Sequence, residues 1–300
     1  MVESLLDRMA LNNGYTIPGI GLGTSGMTGK EAEDVVFSAI MKGYRLIDTA
    51  SQYDNEEDIG RGVNRAISSG ISRDEIFLVT KIWKTDAGFD KATQAFEASL
   101  KRLNQPYVDL LMIHWPDKDD AVNLDTWRAL EAIYESGRAK SIGVCNFSRG
   151  DLAELLKEAK VRPAINQFEI YPGNPNEDLN DFCDSENIVS MAHSPLKRGN
   201  ISKENHLKAI GEKYGKTASQ VALRWDIQRD VIPIPKSSNK DRIQENIEVF
   251  DFKLINEDMD AINKLDKQNR DRNPNSLIRS EVMRGRNHRE KKHGVNKNNY

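Results

Sequence analysis

Short apolar, β-branched runs alternate along this chain with longer amphipathic segments, and that alternation predicts an α/β protein built as a closed (β/α)8 barrel of the TIM type. Three observations carry the expectation. Eight strand candidates fall between Gly19 and Lys236, close to the roughly 250 residues of a typical barrel. Helical patterns separate them, as the crossovers of a parallel sheet require. Seven of the eight runs close on polar or ionisable residues, which suits a fold whose strand ends converge on one face. An open doubly wound sheet is the alternative, and "GIGLGTSG" is its main support. A dinucleotide fingerprint wants G-x-G-x-x-G after a strand and an acidic residue closing the second strand. Here Gly19, Gly21 and Gly23 alternate along the strand itself, so close backbone packing is their simplest role.

Taken in order, "ALNNGYTIPG" places Asn13-Gly14 between two short runs, a hairpin ahead of the barrel that plugs its bottom. The strand candidates follow as "GIGL", "YRLID", "IFLVTK", "DLLMIH", "SIGVCN", "AINQFE", "IVSMAH" and "VIPIPK". Helical patterns lie between them. "FDKATQAFEASLKRL" puts Ala92, Ala95, Phe96, Ser99 and Leu100 on one face. Ser148 and Ser202 read as helix N-caps, and Gly43, Gly70 and Gly137 as stops. Trp127 and Trp225 sit in helical patterns and read as packing. The expected division is a catalytic barrel over 1–268 and a substrate-side C-terminal loop with a polar tail over 269–300. From Gln268 onward nine Lys or Arg stand against three Asp or Glu, without interleaved aromatics, so solvation rather than nucleic-acid binding is expected.

Composition narrows the class. A net charge of −3 over 300 residues argues against a generally basic nucleic-acid surface. No apolar run approaches the ~20 residues of a membrane helix, and no leader-like apolar segment opens the chain. Cys145 and Cys183 are the two cysteines and form no C-x-x-C pair. A cytoplasmic protein, a monomer or weak dimer without a structural metal, is expected.

The strand ends carry the chemistry. Strand two closes on Asp48, strand three on Lys81, strand four on His114 and strand five on Cys145 and Asn146. Strand six closes on Asn166 and Gln167, strand seven on His193 and Ser194, and strand eight on Lys236. Ionisable groups at the ends of apolar runs are costly unless paired or used. Tyr53 follows Asp48 by five residues. A tyrosine, with a free pKa near ~10, becomes a better acid beside a lysine ammonium that stabilises its phenolate. Asp48 would keep that lysine charged, and His114 could orient a carbonyl. Together they would pass a proton to a developing alkoxide. A plain Asp48–Lys81 salt bridge with Tyr53 and His114 as loop residues meets the same spacing, which leaves both readings open.

"GYRLIDTASQYDNEEDIG", "FLVTKIW" and "VDLLMIHWP" resemble the aldo-keto reductases, in particular soluble bacterial members similar to 2,5-diketo-D-gluconate reductases. The resemblance runs from "LNNGYTIPGIGLGT" to "INKLDKQNR". It implies reduction of small-molecule aldehydes and ketones to alcohols with NADPH, Tyr53 as general acid, and Asp48, Lys81 and His114 completing a tetrad. "IPIPKSSNKDRIQEN" resembles the segment that holds the adenosine phosphate. The likeness implies Lys236, Ser237, Ser238 and Arg242 at the 2′-phosphate, with Glu245 and Asn246 near the adenine. It further implies Asn146 and Gln167 at the nicotinamide carboxamide, Gly23 and Thr24 beside the cofactor, and Ser194 and Leu196 lining it. His193 stands where an aromatic usually stacks on the nicotinamide, Cys145 where serine is common, and Ser25 where a larger aromatic often lines the pocket. Trp83 and Trp115 are the expected substrate-pocket walls. Relatives that bind the nucleotide as regulatory subunits with little turnover supply the alternative function.

Overall fold

The computed structural model describes residues 2–265. The expected boundary at 268/269 and the basic tail lie outside the described residues. β1 (Arg8–Ala10) and β2 (Thr16–Pro18) pair antiparallel with Met9 opposite Ile17, and Gly14 takes the left-handed φ of +86° that the tight turn needs. Leu11 and Ile17 enter the same apolar cluster as Leu46, Phe77, Leu110 and Ile165. Asn12 Nδ2 donates to the Pro163 carbonyl and Asn13 Nδ2 to that of Lys140, so the hairpin closes the end of the barrel where the strands begin.

Eight parallel strands follow: β3 (Leu22–Gly23), β4 (Leu46–Asp48), β5 (Phe77–Ile82), β6 (Val108–Ile113), β7 (Ala139–Cys145), β8 (Ile165–Glu169), β9 (Val189–His193) and β10 (Ile232–Pro233). Each pairs with the next in chain order. The two outer strands then meet. Gly21 N and Gly23 N donate to the carbonyls of Pro233 and Pro235, each at 3.0 Å. Prolines have no N–H to give, so this seam is donated from the glycine side. It also needs glycine. A Cβ on Gly21 would lie 2.5 Å from Leu46 Cγ, and one on Gly23 would lie 3.0 Å from the Ile234 carbonyl oxygen. The close packing expected of the alternating glycines is found at all three: Gly21 and Gly23 form the barrel seam, and Gly19 packs against Val2.

Side chains along the strands alternate between two cores. Leu46, Val79, Leu110, Met112, Ile165 and Met191 fill the barrel. Ile47, Leu78, Leu111, Ile113, Ile142, Val144 and Phe168 meet the helices outside. Those helices are α1 (Gly29–Met41), α2 (Glu56–Ser68), α3 (Phe89–Leu103), α4 (Asp120–Glu135), α5 (Arg149–Glu158), α6 (Glu177–Ser185), α7 (Asn205–Tyr214), α8 (Ala218–Gln228), α9 (Lys240–Ile247) and α10 (Asn256–Asn263). Ser148 caps α5 in a reciprocal capping box with Asp151, and Gly43, Gly70 and Gly137 follow α1, α2 and α4 with positive φ. Ser202 is no cap. It lies in a 3-10 stretch with its hydroxyl on the Gly199 carbonyl, and α7 starts after Glu204. Trp127 and Trp225 are buried and donate to Val161 O and Asn263 Oδ1, which makes them packing residues.

Candidate active site

Period-two alternation decides which strand ends face the mouth. Leu46 points inward on β4 and so does Asp48. Val79 and Lys81 do so on β5, Met112 and His114 at the end of β6, and Met191 and His193 on β9. Lys81 is wholly buried and donates to Asp48 Oδ1 at 2.7 Å and to the Thr49 carbonyl at 2.9 Å. The second Asp48 oxygen accepts from Gln167 Nε2 at 2.9 Å. Burial works to lower the lysine pKa, but Asp48 and the surrounding acidic groups raise it on balance, so the ammonium form is secure.

Tyr53 ends a 3-10 turn, Ser51–Tyr53, just after β4. The Lys81 nitrogen lies 5.2 Å from its ring centre. The His114 ring meets Tyr53 edge-on at 5.6 Å and Trp83 edge-on at 5.0 Å. These groups share one small volume. The expected net lowering of the tyrosine pKa is not what results. Burial is the largest influence and pushes it up to about 12, while the charge of Lys81 and its hydrogen bond pull it down. Tyr53 as a residue is half-buried, but its surroundings leave the phenolate short of water. His114 is driven the other way: burial first, then the charge of Lys81, and that of His193 when protonated, hold it well below the usual imidazole value. Its Nδ1 is buried without a hydrogen-bond partner among the described residues.

Asn146, Gln167, Cys145 and His193 complete the rim. Asn146 Nδ2 donates to the His114 carbonyl at 3.0 Å and to Cys145 Sγ at 3.1 Å, and its Oδ1 lies 2.8 Å from His193 Nε2. The Cys145 thiol faces Gln167 Oε1 at 3.6 Å, and burial pushes its pKa up to about 12. Thr24 is buried, with its hydroxyl on the Asp48 carbonyl at 2.9 Å. Ser194 and Leu196 are half-buried in the turn after β9, where Ser194 has a φ of +55°. Trp115 is half-buried and Ser25 exposed.

The expected phosphate segment sits at the seam. A Cβ on Gly23 would be 3.7 Å from Lys236 Cβ. Lys236, Ser238 and Arg242 are exposed, and Ser237 is buried. Asn239 caps α9, its Oδ1 accepting from Asp241 N and Arg242 N. Asn246 is buried, and Glu245 Oε1 accepts from the Thr217 hydroxyl at 2.7 Å, tying α9 to the start of α8.

Sequence reasoning missed Asn55. It is buried two residues after Tyr53, donates to the carbonyls of Thr24 and Met27, and accepts from the Thr49 hydroxyl. It thereby fixes the turn that carries the tyrosine against the loop after β3. A polar residue just before "EEDIG" looks like an ordinary helix start, so no spacing rule flags it.

The profile of the Aldo/keto reductase family matches residues 19–267. The glyoxal reductase of Bacillus subtilis is 45% identical over 280 residues, covering 93% of this chain and 100% of that protein. The crystal structure of an aldo/keto reductase from Brucella melitensis superposes with a TM-score of 0.83 at 43% identity, covering 87% of this chain and 99% of that one. A Bombyx mori aldo-keto reductase solved in complex with NADP does so with a TM-score of 0.82 at 38% identity, covering 88% and 94%. With the barrel, its glycine seam and the Asp48–Lys81 pair at its mouth, these matches place the chain in the aldo/keto reductase family.

Proposed function

We propose that this protein reduces small aldehydes and ketones to alcohols with NADPH, Tyr53 giving the proton. The observation that carries the reading is the buried Lys81–Asp48 pair set against Tyr53 and His114 in one mouth. Family membership supports it, as does the Bombyx mori relative's NADP complex.

The residues present suit the cofactor. Lys236 and Arg242 are exposed cations with no side-chain partner among the described residues, a pair matched to a phosphate; the Ser237 hydroxyl donates to the Asn239 carbonyl at 3.4 Å and would have to turn to join them. The Asn239 side chain already takes the first N–H groups of α9. The helix therefore contributes its N-terminal potential rather than free donors. Asn146 and Gln167 each carry an amide that can both donate and accept, which a nicotinamide carboxamide requires. Bound NADPH would supply the hydride to the carbonyl carbon.

The chain's own part is proton delivery and orientation. A pKa near 12 keeps Tyr53 protonated at working pH, the form a proton donor needs. Its proton passes to the carbonyl oxygen as hydride reaches carbon, leaving a phenolate. That phenolate is costly in a dry site, and Lys81 offsets its charge at close range. Asp48 holds Lys81 in place, with the Thr49 carbonyl taking a second N–H. Neutral His114 offers a ring N–H to the same carbonyl oxygen without competing for the proton. Trp83 walls the pocket beside it, with Trp115 and Ser25 toward its rim; Ser194, Leu196, Gly23 and Thr24 line the cofactor. A cytoplasmic location and a monomer or weak dimer belong to the same reading, and no described helix is long and apolar enough to cross a membrane.

The test is steady-state turnover of glyoxal and a panel of aldehydes and ketones, followed by loss of NADPH absorbance, with Tyr53→Phe as control. General acid catalysis contributes ~10²–10⁴-fold, so the folded variant should fall by about that factor while still binding NADPH. A wild-type protein that binds NADPH yet turns over no carbonyl would overturn the reading in favour of a regulatory subunit. Near-normal turnover by Tyr53→Phe would remove the tyrosine from its role.

A further inference from the structure

We propose that His193 is a positioning residue. It sets which way the Asn146 amide faces, and through that amide how well the nicotinamide carboxamide is held. The inference rests on the placement of Asn146 at the cofactor. It differs from the stacking role expected of an aromatic at position 193.

Asn146 is not where strand alternation would put it. On β7, Ile142 and Val144 face the helices, so the residue after Cys145 should face outward too. Instead Asn146 takes a φ of +63°, a left-handed conformation that asparagine tolerates better than most side chains. That turn brings its side chain to the mouth, between His114 and His193. The His114 backbone carbonyl can only accept, so the amide NH2 faces it at 3.0 Å. The amide oxygen is thereby turned toward His193 Nε2 at 2.8 Å. That oxygen can only accept as well, so Nε2 must carry a hydrogen. In the neutral ring, Nδ1 is then an acceptor, 3.4 Å from the Ser194 hydroxyl. Tautomer and amide orientation specify each other.

The consequence is for recognition. A carboxamide needs an acceptor opposite its NH2 and a donor opposite its oxygen. Asn146 Oδ1 has a second lone pair, and its NH2 group a second hydrogen that among the described residues meets only the Cys145 thiol. Turned over, the amide would offer the wrong group in each direction. The His193 hydrogen bond runs in the plane of the imidazole, so it leaves the ring face available. Donor and face are therefore separable by mutation. His193→Phe keeps a flat ring and removes the donor, whereas His193→Gln keeps a donor and removes the ring.

Dissociation constants for NADP⁺ and for its 3-acetylpyridine analogue, in which a methyl replaces the carboxamide NH2, are measured by quenching of protein fluorescence. The set is wild type, His193→Phe, His193→Gln, Asn146→Ala and the Asn146→Ala/His193→Phe double variant. Loss of one neutral hydrogen bond corresponds to roughly three- to tenfold. His193→Phe should weaken NADP⁺ by that factor and shrink its preference over the analogue. His193→Gln should stay within about twofold of wild type, and the Phe change should add nothing in the Asn146→Ala background. If Phe binds like wild type and Gln does not, the ring face is what matters and the proposal fails. If the Phe effect persists undiminished without Asn146, it fails too. Unaltered NADP⁺ affinity in Asn146→Ala would overturn the placement of Asn146 itself and the proposal with it. Should His193→Phe not fold, nitrogen NMR of the wild-type imidazole decides: a neutral ring protonated at Nδ1 rather than Nε2 overturns the assignment.

Discussion

Replacing Lys81 with methionine keeps the length of the side chain and removes its charge. In the folded protein Lys81 is 0% exposed and Asp48 2%. Lys81→Met therefore leaves a carboxylate buried with one remaining side-chain donor, Gln167 Nε2, and leaves the Thr49 carbonyl without its lysine partner. Breaking a buried ion pair on one side costs about 3–5 kcal/mol. At roughly 2–4 °C per kcal/mol for chains near this size, the melting temperature should drop by about 6–20 °C. Carbonyl reduction should fall as well, because Tyr53 loses the one neighbour that lowers its pKa while Asp48 goes on raising it. The two losses separate in Asp48→Asn/Lys81→Met, which leaves no charge at these two positions. Its melting temperature, followed by circular dichroism, should recover much of the deficit, and its rate should not. Recovery of both would mean that the pair serves folding alone. An unchanged melting temperature in Lys81→Met would mean that the pair is not the dry, mutually dependent unit described here.

Arg242→Ala should weaken NADPH more than NADH. A charge-assisted contact is worth roughly 1.5–3 kcal/mol, and exposure keeps this one near the low end, about tenfold by titration; equal weakening of both cofactors would remove Arg242 from the 2′-phosphate. Gly21→Ala should destabilise by about 1–3 kcal/mol, because the added carbon meets Leu46 at 2.5 Å on the seam; unchanged denaturant stability would contradict that packing. Stability should also fall as pH rises above about 10. The Tyr53 pKa stands at about 12 in the fold against about 10 for a free tyrosine, so between those values the unfolded chain binds fewer protons and is favoured. Lys81, raised above 10.5, contributes stability that is complete below that value and is lost as its folded pKa is passed, in the same direction. A flat melting temperature from pH 8 to 11 would refute both.

The strands were legible because a parallel barrel buries both faces, so most stand out as short, largely apolar runs with polar residues at or near their ends. The same rule exposed Asp48, Lys81, His114 and Gln167. Asn146 was legible only as a residue type at a strand end. Its inward reach depends on a left-handed φ that alternation does not foresee. The sign of the Tyr53 shift was missed for a related reason. Spacing reveals a charged neighbour, which pulls the value down, but not how much protein surrounds the hydroxyl, which pushes it up further. Ser202 misled because a serine before a helical pattern is also what a 3-10 turn uses, with its hydroxyl on a carbonyl three residues back. Asn55 could not be seen, since its three hydrogen bonds join loops that meet only in the folded chain.

Two nitrogen bases share this mouth and are kept in opposite states. Lys81 has a carboxylate partner and stays charged. His114 has none, lies in the field of Lys81, and stays neutral. The division matters for direction of proton flow. Were His114 charged, it would be a stronger acid than Tyr53 and would deliver the proton first. Its own position, fixed by the ring contacts with Tyr53 and Trp83, would then set the chemistry. Because burial and Lys81 hold it neutral, the proposed proton transfer runs from Tyr53, and the proposed phenolate has the Lys81 ammonium close by. Asp48 is thus upstream of both choices. By keeping the charge on Lys81 it sustains the cation that lowers the Tyr53 pKa and disfavours protonation of His114, while its own negative charge raises the Tyr53 value.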